Sequence, residues 1–160
     1  NIKKKNLFKT LKKFNGLKYR QQIIYRSKNL SIINDSKATS YSSSVSILKS
    51  LTNVYWIVGG LAKKGDKFLL SKNDCKTFKA YIYGKDKKFF IKHLKSVMNY
   101  QYFENLTLLL KKVFLDIEKE KTNKHKIILF SPAAASFDSF KNFEDRGKYF
   151  NNLIRKRINA

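Results

Sequence analysis

The sequence predicts an α/β fold: a mostly parallel sheet with helices on both faces and an additional N-terminal hairpin strand. Three observations support this fold class. Short strand-like runs alternate with stretches that carry apolar residues at helical spacing. Residues 54–58 are almost continuously apolar, as expected for a strand buried on both faces of a sheet. The length of 160 residues suits one domain with a substantial core.

The strands are predicted from short β-prone runs bounded by turn residues. Residues 21–25 and 30–33 form two such runs, and the polar residues 26–29 between them indicate a hairpin. The remaining predicted strands are 54–58, 78–83, 99–103 and 127–130. Because they alternate with helical patterns, they should pair in parallel through helical crossovers.

The helices are predicted from apolar residues spaced three and four positions apart. The clearest is 104–120, whose apolar face consists of Leu106, Leu109, Leu110, Val113, Phe114 and Ile117. The other predicted helices are 7–14, 42–51, 67–71, 87–97 and 138–157. The first of these ends at Asn15-Gly16, a helix-terminating pair.

Lysine dominates the charge of the chain. There are 35 Lys and Arg against 11 Asp and Glu, which gives a formal net charge of +24, and only five of the cations are arginine. Proteins that bind nucleic acids favour the planar fork of arginine. The lysines are spread along the whole sequence and accompany abundant Asn, Ile, Phe and Tyr, a composition that indicates A/T-rich codons. We therefore do not expect nucleic acid as the partner, although a basic nucleic-acid-binding domain stays open as an alternative.

The sequence gives no sign of several other kinds of site. The single cysteine, Cys75, lacks metal-ligand spacing and is interpreted as a small filler residue. His93 and His125 lie among lysines, so we predict surface histidines, no metal site and no self-contained catalytic centre.

No apolar run is long enough for a membrane span. We expect a cytosolic (cytoplasmic) monomer without a membrane partner. The start at Asn-Ile-Lys-Lys-Lys suggests a piece cut from a longer chain.

Three loops should form the functional edge of the sheet, because ligands of parallel sheets bind outside the carboxyl ends of the strands. They are residues 34–39, 59–66 and 131–143, which we call the first, second and third corners. We expect them to lie side by side in space although they are far apart in sequence.

Each corner carries groups suited to an anion. At the first corner, Lys37 carries a positive charge and Thr39 lies near a helix start. At the second corner, a glycine pair is followed by Lys63. At the third corner, a run of small apolar residues ending at Ser136 leaves room for a ligand. Taken singly, a helix cap, a turn and solvated lysines explain these residues. Their joint placement favours a small ligand with more than one carboxylate or phosphate.

The motifs at these corners resemble a known family. The stretches "NDSKAT" at 34–39, "GGLAKKGD" at 59–66 and "SPAAASFDSFKNFEDRGKYF" at 131–150 are similar to the C-terminal domain of the Mur ligases that add D-glutamate. These are the UDP-N-acetylmuramoyl-L-alanine:D-glutamate ligases of peptidoglycan synthesis. The resemblance covers nearly the whole chain, and the third motif is the most specific.

The resemblance implies a domain organisation. Residues 1–20 would be the end of a central ATPase domain and the hinge, and residues 21–160 a Rossmann-like C-terminal amino-acid-binding domain. In the full-length enzyme, ATP with Mg²⁺ would phosphorylate the carboxylate of UDP-N-acetylmuramoyl-L-alanine, and D-glutamate would attack the acyl phosphate. The phosphate loop and the magnesium ligands of the family would lie upstream. This chain alone would therefore be inactive.

Site residues also follow from the resemblance, by matching motif. Those that would bind D-glutamate are Thr39, Lys63, Ser136, Phe137 through its backbone, and Phe143. Those that would reach the nucleotide when the domain closes are Arg20, Asp35 and Lys37.

Two positions depart from the family pattern. Lys18-Tyr19 stands where Pro-His is frequent in the family, and Leu61-Ala62 replaces a pair that is frequently polar or glycine.

The main alternative to a ligase domain is a doubly wound ligand-binding module without a ligase role, which would leave the third motif unexplained.

Overall fold

The central sheet is mostly parallel, as predicted. A computed structural model describes residues 16–159. Its strands are β1 Gln22–Arg26, β2 Leu30–Asn34, β3 Val54–Gly59, β4 Leu61–Ala62, β5 Phe78–Tyr83, β6 Asn99–Tyr102, β7 Lys126–Phe130 and β8 Ala134–Ala135. The main sheet has the order β1-β2-β7-β3-β5-β6, and β4 pairs separately with β8. Every pair in the main sheet is parallel except the β1–β2 hairpin, so the N-terminal hairpin strand is confirmed.

Helices cover both faces of this sheet. Within the described residues they are α1 Tyr41–Leu48, α2 Lys87–Leu94, α3 Leu106–Lys119 and α4 Phe143–Ile158. The buried apolar side chains of α1 and α2 belong to one hydrophobic cluster, and those of α3 and α4 to another. The two clusters lie on opposite sides of the sheet because alternate residues of each strand point to opposite faces.

Strand β3 lies at the centre of both clusters. It is flanked by β7 and β5, and all six of its residues are buried. Trp56 and Val58 belong to the cluster of α1 and α2, whereas Tyr55 and Ile57 belong to that of α3 and α4. The continuous apolar run at 54–58 therefore has the cause predicted for it, which is burial on both faces.

Short polar side chains set the helix starts. Asn105 accepts a hydrogen bond from the Leu108 amide at 3.0 Å and begins α3. The Asn142 side chain likewise accepts a hydrogen bond from the Asp145 amide, at 2.8 Å, and caps the start of α4. The predicted start of the last helix at residue 138 was therefore wrong by five residues, because the cap lies beyond the third corner.

The helix predicted at 67–71 was wrong. Phe68 is half-buried, Leu69 is exposed and Leu70 is buried, an alternation typical of extended chain. Ser71 then forms a turn in which its amide and hydroxyl both donate to the Asp74 carboxylate, at 2.8 and 2.7 Å. The predicted helix at 87–97 ends earlier, at Leu94. The helix predicted at 7–14 lies outside the described residues.

The lone cysteine and the histidines are structural. Cys75 is buried in the cluster of α1 and α2, as predicted. His125 is exposed, as predicted, whereas His93 is half-buried, and both side chains have neighbours that hold them. The His93 ring lies 4.3 Å from that of Phe89. The Nε2 atom of His125 is 2.9 Å from the Ser31 hydroxyl.

A network of tyrosines and charged groups lies between the sheet and the C-terminal half of α3. Glu120, the residue that follows α3, accepts hydrogen bonds from the Tyr55 hydroxyl and, at 2.8 Å, from the Lys79 ammonium. These two hydrogen bonds hold the pKa of Glu120 below its usual value, and the bond from Lys79 makes the larger contribution. The carboxylate is thus stabilised in its charged form by the fold.

Glu120→Gln should lower the free energy of unfolding at neutral pH by about 0.5–1 kcal/mol, a partly exposed ion pair being screened by solvent. Because the folded-state pKa of Glu120 is depressed, its contribution is present above the unfolded value of 4.5 and is lost as the pH falls through the folded value. Urea unfolding across pH 3–7 checks this. Glu118→Gln, at a more exposed acid, is the matched control, and an equal pH dependence in both variants would refute the assignment.

Candidate functional site

The three corners meet at the carboxyl edge of the sheet. The first contacts the end of β7, where the Asp35 amide donates to the Phe130 carbonyl at 2.7 Å. The second contacts the third through the Gly59 amide, which donates to the Pro132 carbonyl at 2.9 Å, and through the β4–β8 pair. Asp66 of the second corner accepts the Tyr41 amide at the start of α1 at 2.5 Å. The sequence correctly placed these loops side by side.

Arg146 fastens the first corner to α4. Its side chain is 1% exposed. The guanidinium donates from Nε to the Ser36 hydroxyl at 3.1 Å and from Nη2 to the Ser36 carbonyl at 2.7 Å. Ser36 in turn donates to the Phe143 carbonyl at 2.8 Å. Burial lowers the pKa of Arg146, yet the guanidinium stays charged because its ordinary value is so high.

Asn34 adds a second connection between the same elements. Its side-chain amide donates to the Gly147 carbonyl at 2.9 Å and to the Asn151 side chain at 2.7 Å. Its side-chain oxygen accepts the Ser36 amide at 3.0 Å. The end of β2 and the first half of α4 are therefore held in one fixed arrangement.

The glycine pair at the second corner serves the fold directly. A Cβ on Gly59 would lie 1.9 Å from the Tyr83 carbonyl oxygen, and one on Gly60 2.6 Å from that of Ala135. Both residues also have positive φ, +136° and +129°, which disfavour any side chain. The glycine pair thus permits a close approach between segments of this chain.

Asp35 is buried, and both of its carboxylate oxygens are occupied. One accepts the Gln21 amide at 3.1 Å and the other the Ser131 hydroxyl at 2.9 Å. Burial raises the pKa of Asp35, and the two hydrogen bonds and the nearby charge of Arg20 only partly offset it. The carboxylate connects the segment before β1 to the third corner.

Lys37 links the two predicted groups of site residues. Its ammonium lies 4.1 Å from the centre of the Phe143 ring, a cation–π contact. Its amide donates to the Tyr19 carbonyl at 3.0 Å. A residue predicted to face the nucleotide therefore contacts one predicted to face D-glutamate.

An open cleft of about 660 Å³ lies beside the first corner. Its lining residues are Gly16, Leu17, Arg20, Gln21, Asp35, Lys37, Ala38, Thr39, Ser43 and Ser46. Four predicted site residues are thus brought together here: Arg20, Asp35, Lys37 and Thr39. Thr39 is free for a ligand because Ser40, not Thr39, caps α1 through the Ser43 amide.

The other predicted site residues lie outside that cleft lining. Lys63 is exposed just after β4, and Ser136 is buried just after β8. Phe137 is 71% exposed, an unusual position for an aromatic side chain. Phe143 is the first residue of α4 and is half-buried.

Residues 16–159 contain neither a cluster of metal ligands nor a membrane-spanning helix. In that part of the chain no three His, Cys, Asp or Glu side chains come together as a metal site. None of its helices combines the length and the apolar character needed to cross a membrane.

The residues that fasten the corners were missed at the level of sequence. They are Asn34, Ser36, Arg146, and the pair Ser44 and Ser131, whose hydroxyl oxygens lie 2.8 Å apart. A signal existed for Arg146, because it shares a helical stripe with the buried Phe150 and Ile154, at spacings of four. No comparable pattern marks the serines, whose roles depend on contacts between distant segments.

Arg146→Lys should lower the free energy of unfolding by about 2 kcal/mol, because lysine cannot reproduce the two donors that reach Ser36 and leaves buried acceptors without partners. Arg155→Lys, on an exposed position of the same helix, is the matched control and should change stability by less than about 0.5 kcal/mol. Urea unfolding compares them. Equal stabilities would contradict the fastening role of Arg146.

Gly147→Ala should destabilise the chain, although alanine in a helix normally gains about 1 kcal/mol over glycine. A Cβ at residue 147 would lie 2.4 Å from the Tyr19 ring. In a Tyr19→Gly background, which also suits the positive φ of 61° there, the same change should become stabilising. A double-mutant cycle of unfolding free energies measures this. Stabilisation in both backgrounds would show that Tyr19 does not pack on α4.

Comparisons with known proteins agree with the resemblance of the motifs. No family model matches the chain. Curated relatives named UDP-N-acetylmuramoylalanine–D-glutamate ligase are 38% identical to it over 149 residues, among them those of Francisella tularensis subsp. tularensis strain SCHU S4, subsp. holarctica strain LVS and subsp. novicida strain U112. The match covers 91% of this chain but 34–35% of those proteins. The chain thus spans about a third of their length.

Proposed function

We propose that this chain belongs to the family of UDP-N-acetylmuramoylalanine–D-glutamate ligases, that it is the C-terminal part of such a ligase, and that it binds D-glutamate and the phosphates of ATP at its corners. The main support for this proposal is the cleft at the first corner. Two cations, Arg20 and Lys37, line this cleft together with Thr39, at the carboxyl edge of a parallel sheet. Two positive charges beside a hydroxyl group favour a ligand with several negative charges.

The nucleotide side of the site is assigned to Arg20 and Lys37. Each carries a full charge that can be directed at a phosphate oxygen. Asp35 is better assigned a positioning role, since its two oxygens already accept hydrogen bonds from Gln21 and Ser131. The described residues do not form a site suited to Mg²⁺, because no cluster of acidic ligands is present within 16–159. We assign any magnesium ligands to the remainder of a longer protein.

The D-glutamate side is assigned to Thr39, Lys63, Ser136, Phe137 and Phe143. At Phe143 the first amides of α4 have no partner within the helix and can donate to a carboxylate. Glu144 and Asp145, in the first turn of that helix, work against an anion. Lys37 and Lys63 are therefore needed to offset the local negative charge, and Lys63 is the stronger candidate for a direct carboxylate contact.

The domain boundary is proposed near residue 20, with the segment before it joining a central ATPase domain. Tyr19, before this boundary, already contacts the domain that follows, because its carbonyl accepts the Lys37 amide. A hinge would consequently bend at or before Lys18. We further propose a cytoplasmic, monomeric enzyme whose third substrate, UDP-N-acetylmuramoylalanine, binds outside this chain.

Lys63→Ala should raise the Michaelis constant for D-glutamate by about ten- to a hundredfold, the loss expected for one charge-assisted hydrogen bond. The assay uses a chimera in which this chain replaces the matching third of a Francisella relative, with ADP release as the readout. Lys64→Ala is the adjacent, equally charged control and should be close to wild type. The 160-residue chain alone should release no ADP. A normal Michaelis constant in the Lys63 variant would overturn its role.

Lys37→Ala in the same chimera should lower turnover more than it changes the Michaelis constant for D-glutamate, because the ammonium is assigned to a phosphate. Phe143→Leu keeps the backbone amide but removes the ring beneath Lys37. It should produce a smaller effect in the same direction. Steady-state kinetics with each substrate varied separates these effects. A defect confined to D-glutamate in the Lys37 variant would reverse the assignments of Lys37 and Lys63.

A further inference from the structure

A second recess lies on the outer face of the α3–α4 layer, away from the proposed ligase site. It has a volume of about 320 Å³. Its lining residues are Thr107, Leu110, Lys111, Phe114, Leu153, Lys156 and Arg157. We call it the α3–α4 groove. It shares no lining residue with the cleft at the first corner, so the proposed function does not account for it.

The groove has an apolar floor and a basic rim. Leu110, Phe114 and Leu153 form the floor. Lys111 and Lys156 stand on the rim, and neither forms an ion pair with any residue in 16–159. The third rim cation, Arg157, lies over the Phe114 ring at 5.5 Å and is 3.3 Å from Glu118.

The apolar surface continues along α3 beyond the groove. Leu108 is 52% exposed and Leu115 is 38% exposed, seven residues apart on this helix. A spacing of seven puts both side chains on one stripe, with Lys111 and Lys112 between them. Two exposed leucines beside an apolar recess, bordered by lysines, are typical of a surface that another protein covers.

Charge and shape select the kind of partner. A second copy of this chain would bring another net charge of +24 against the rim and be repelled. A bilayer is too flat to fill a recess between two helices. Nucleic acid would satisfy the lysines but has no aliphatic side chains to fill the apolar floor.

We infer that the α3–α4 groove binds an acidic amphipathic helix of a partner protein, with leucine-type side chains on the floor and carboxylates at Lys111 and Lys156. Helices commonly dock in this way, through apolar residues three and four positions apart that enter a groove. The acidic residues of the partner would fix its orientation and speed its association.

A designed peptide tests this inference with the chain as it stands. The probe is a short capped helix with leucine on one face and glutamate elsewhere, titrated into ¹⁵N-labelled chain. We expect amide shifts confined to the α3 and α4 residues of the groove. Replacing the leucines of the peptide by alanine should abolish binding, and replacing its glutamates by lysine should do the same.

Variants of the rim supply the matched comparison. Lys111→Glu combined with Lys156→Glu should weaken binding by at least about tenfold, as expected when rim charges are reversed. Lys72→Glu combined with Lys76→Glu changes the net charge equally but flanks Cys75, which packs on the other face of the sheet. This control should bind as wild type. Equal weakening in both pairs, shifts spread over the whole basic surface, or undiminished binding of the alanine peptide would each overturn the inference.

Discussion

The contact between the Arg146 guanidinium and Ser36 determines how the carboxyl edge of the sheet is arranged. A buried guanidinium is costly unless its donors are satisfied, and here the backbone and side chain of Ser36 supply acceptors for Nη2 and Nε, whereas the buried Nη1 has no hydrogen-bond partner among the described residues. Any movement of the first corner relative to α4 would break these bonds in a buried environment. The first residue of α4 is tied into the same arrangement by the bond from Ser36 to the Phe143 carbonyl.

The contacts around this arginine explain why charged side chains can be presented together at one edge. Asn34 and Asp35 fix the start of the first corner, through α4 and through the third corner respectively. Lys37 then projects from a rigid segment and contacts the Phe143 ring. Long lysine side chains lose conformational entropy when they bind, so a fixed backbone and an aromatic support lower the cost of holding one near a ligand.

Much of the fold was predictable because its signals are local. The continuous apolar run of β3 and the apolar stripe of α3 follow directly from burial on two faces and on one face. The helix predicted at 67–71 was wrong because extended chain can place Phe68 and Leu70 against the core equally well. The start of α4 was misplaced because the capping residue, Asn142, lies among several polar residues that could each begin a helix.

The location of the candidate site could be predicted from the sequence, but the contacts between its residues could not. Strand ends and the third motif located the corners, whereas the occupied carboxylate of Asp35 and the buried guanidinium of Arg146 depend on partners about one hundred residues away. The abundance of lysine also made it difficult to predict which lysines bind a ligand. Lys63 and Lys64, for example, are adjacent residues of the same type. Only their different positions relative to β4 and the third corner separate them.

We propose that the corners held together by Arg146 form a specific anion site for a nucleotide. Titration of ¹⁵N-labelled chain with ATP at about 0.15 M salt distinguishes such a site from diffuse attraction to exposed lysines, which salt at this concentration screens. We expect saturable amide shifts concentrated at Arg20, Lys37 and Thr39, and their loss in the Lys37→Ala variant. Shifts distributed over lysines on every face, or unchanged in that variant, would contradict it.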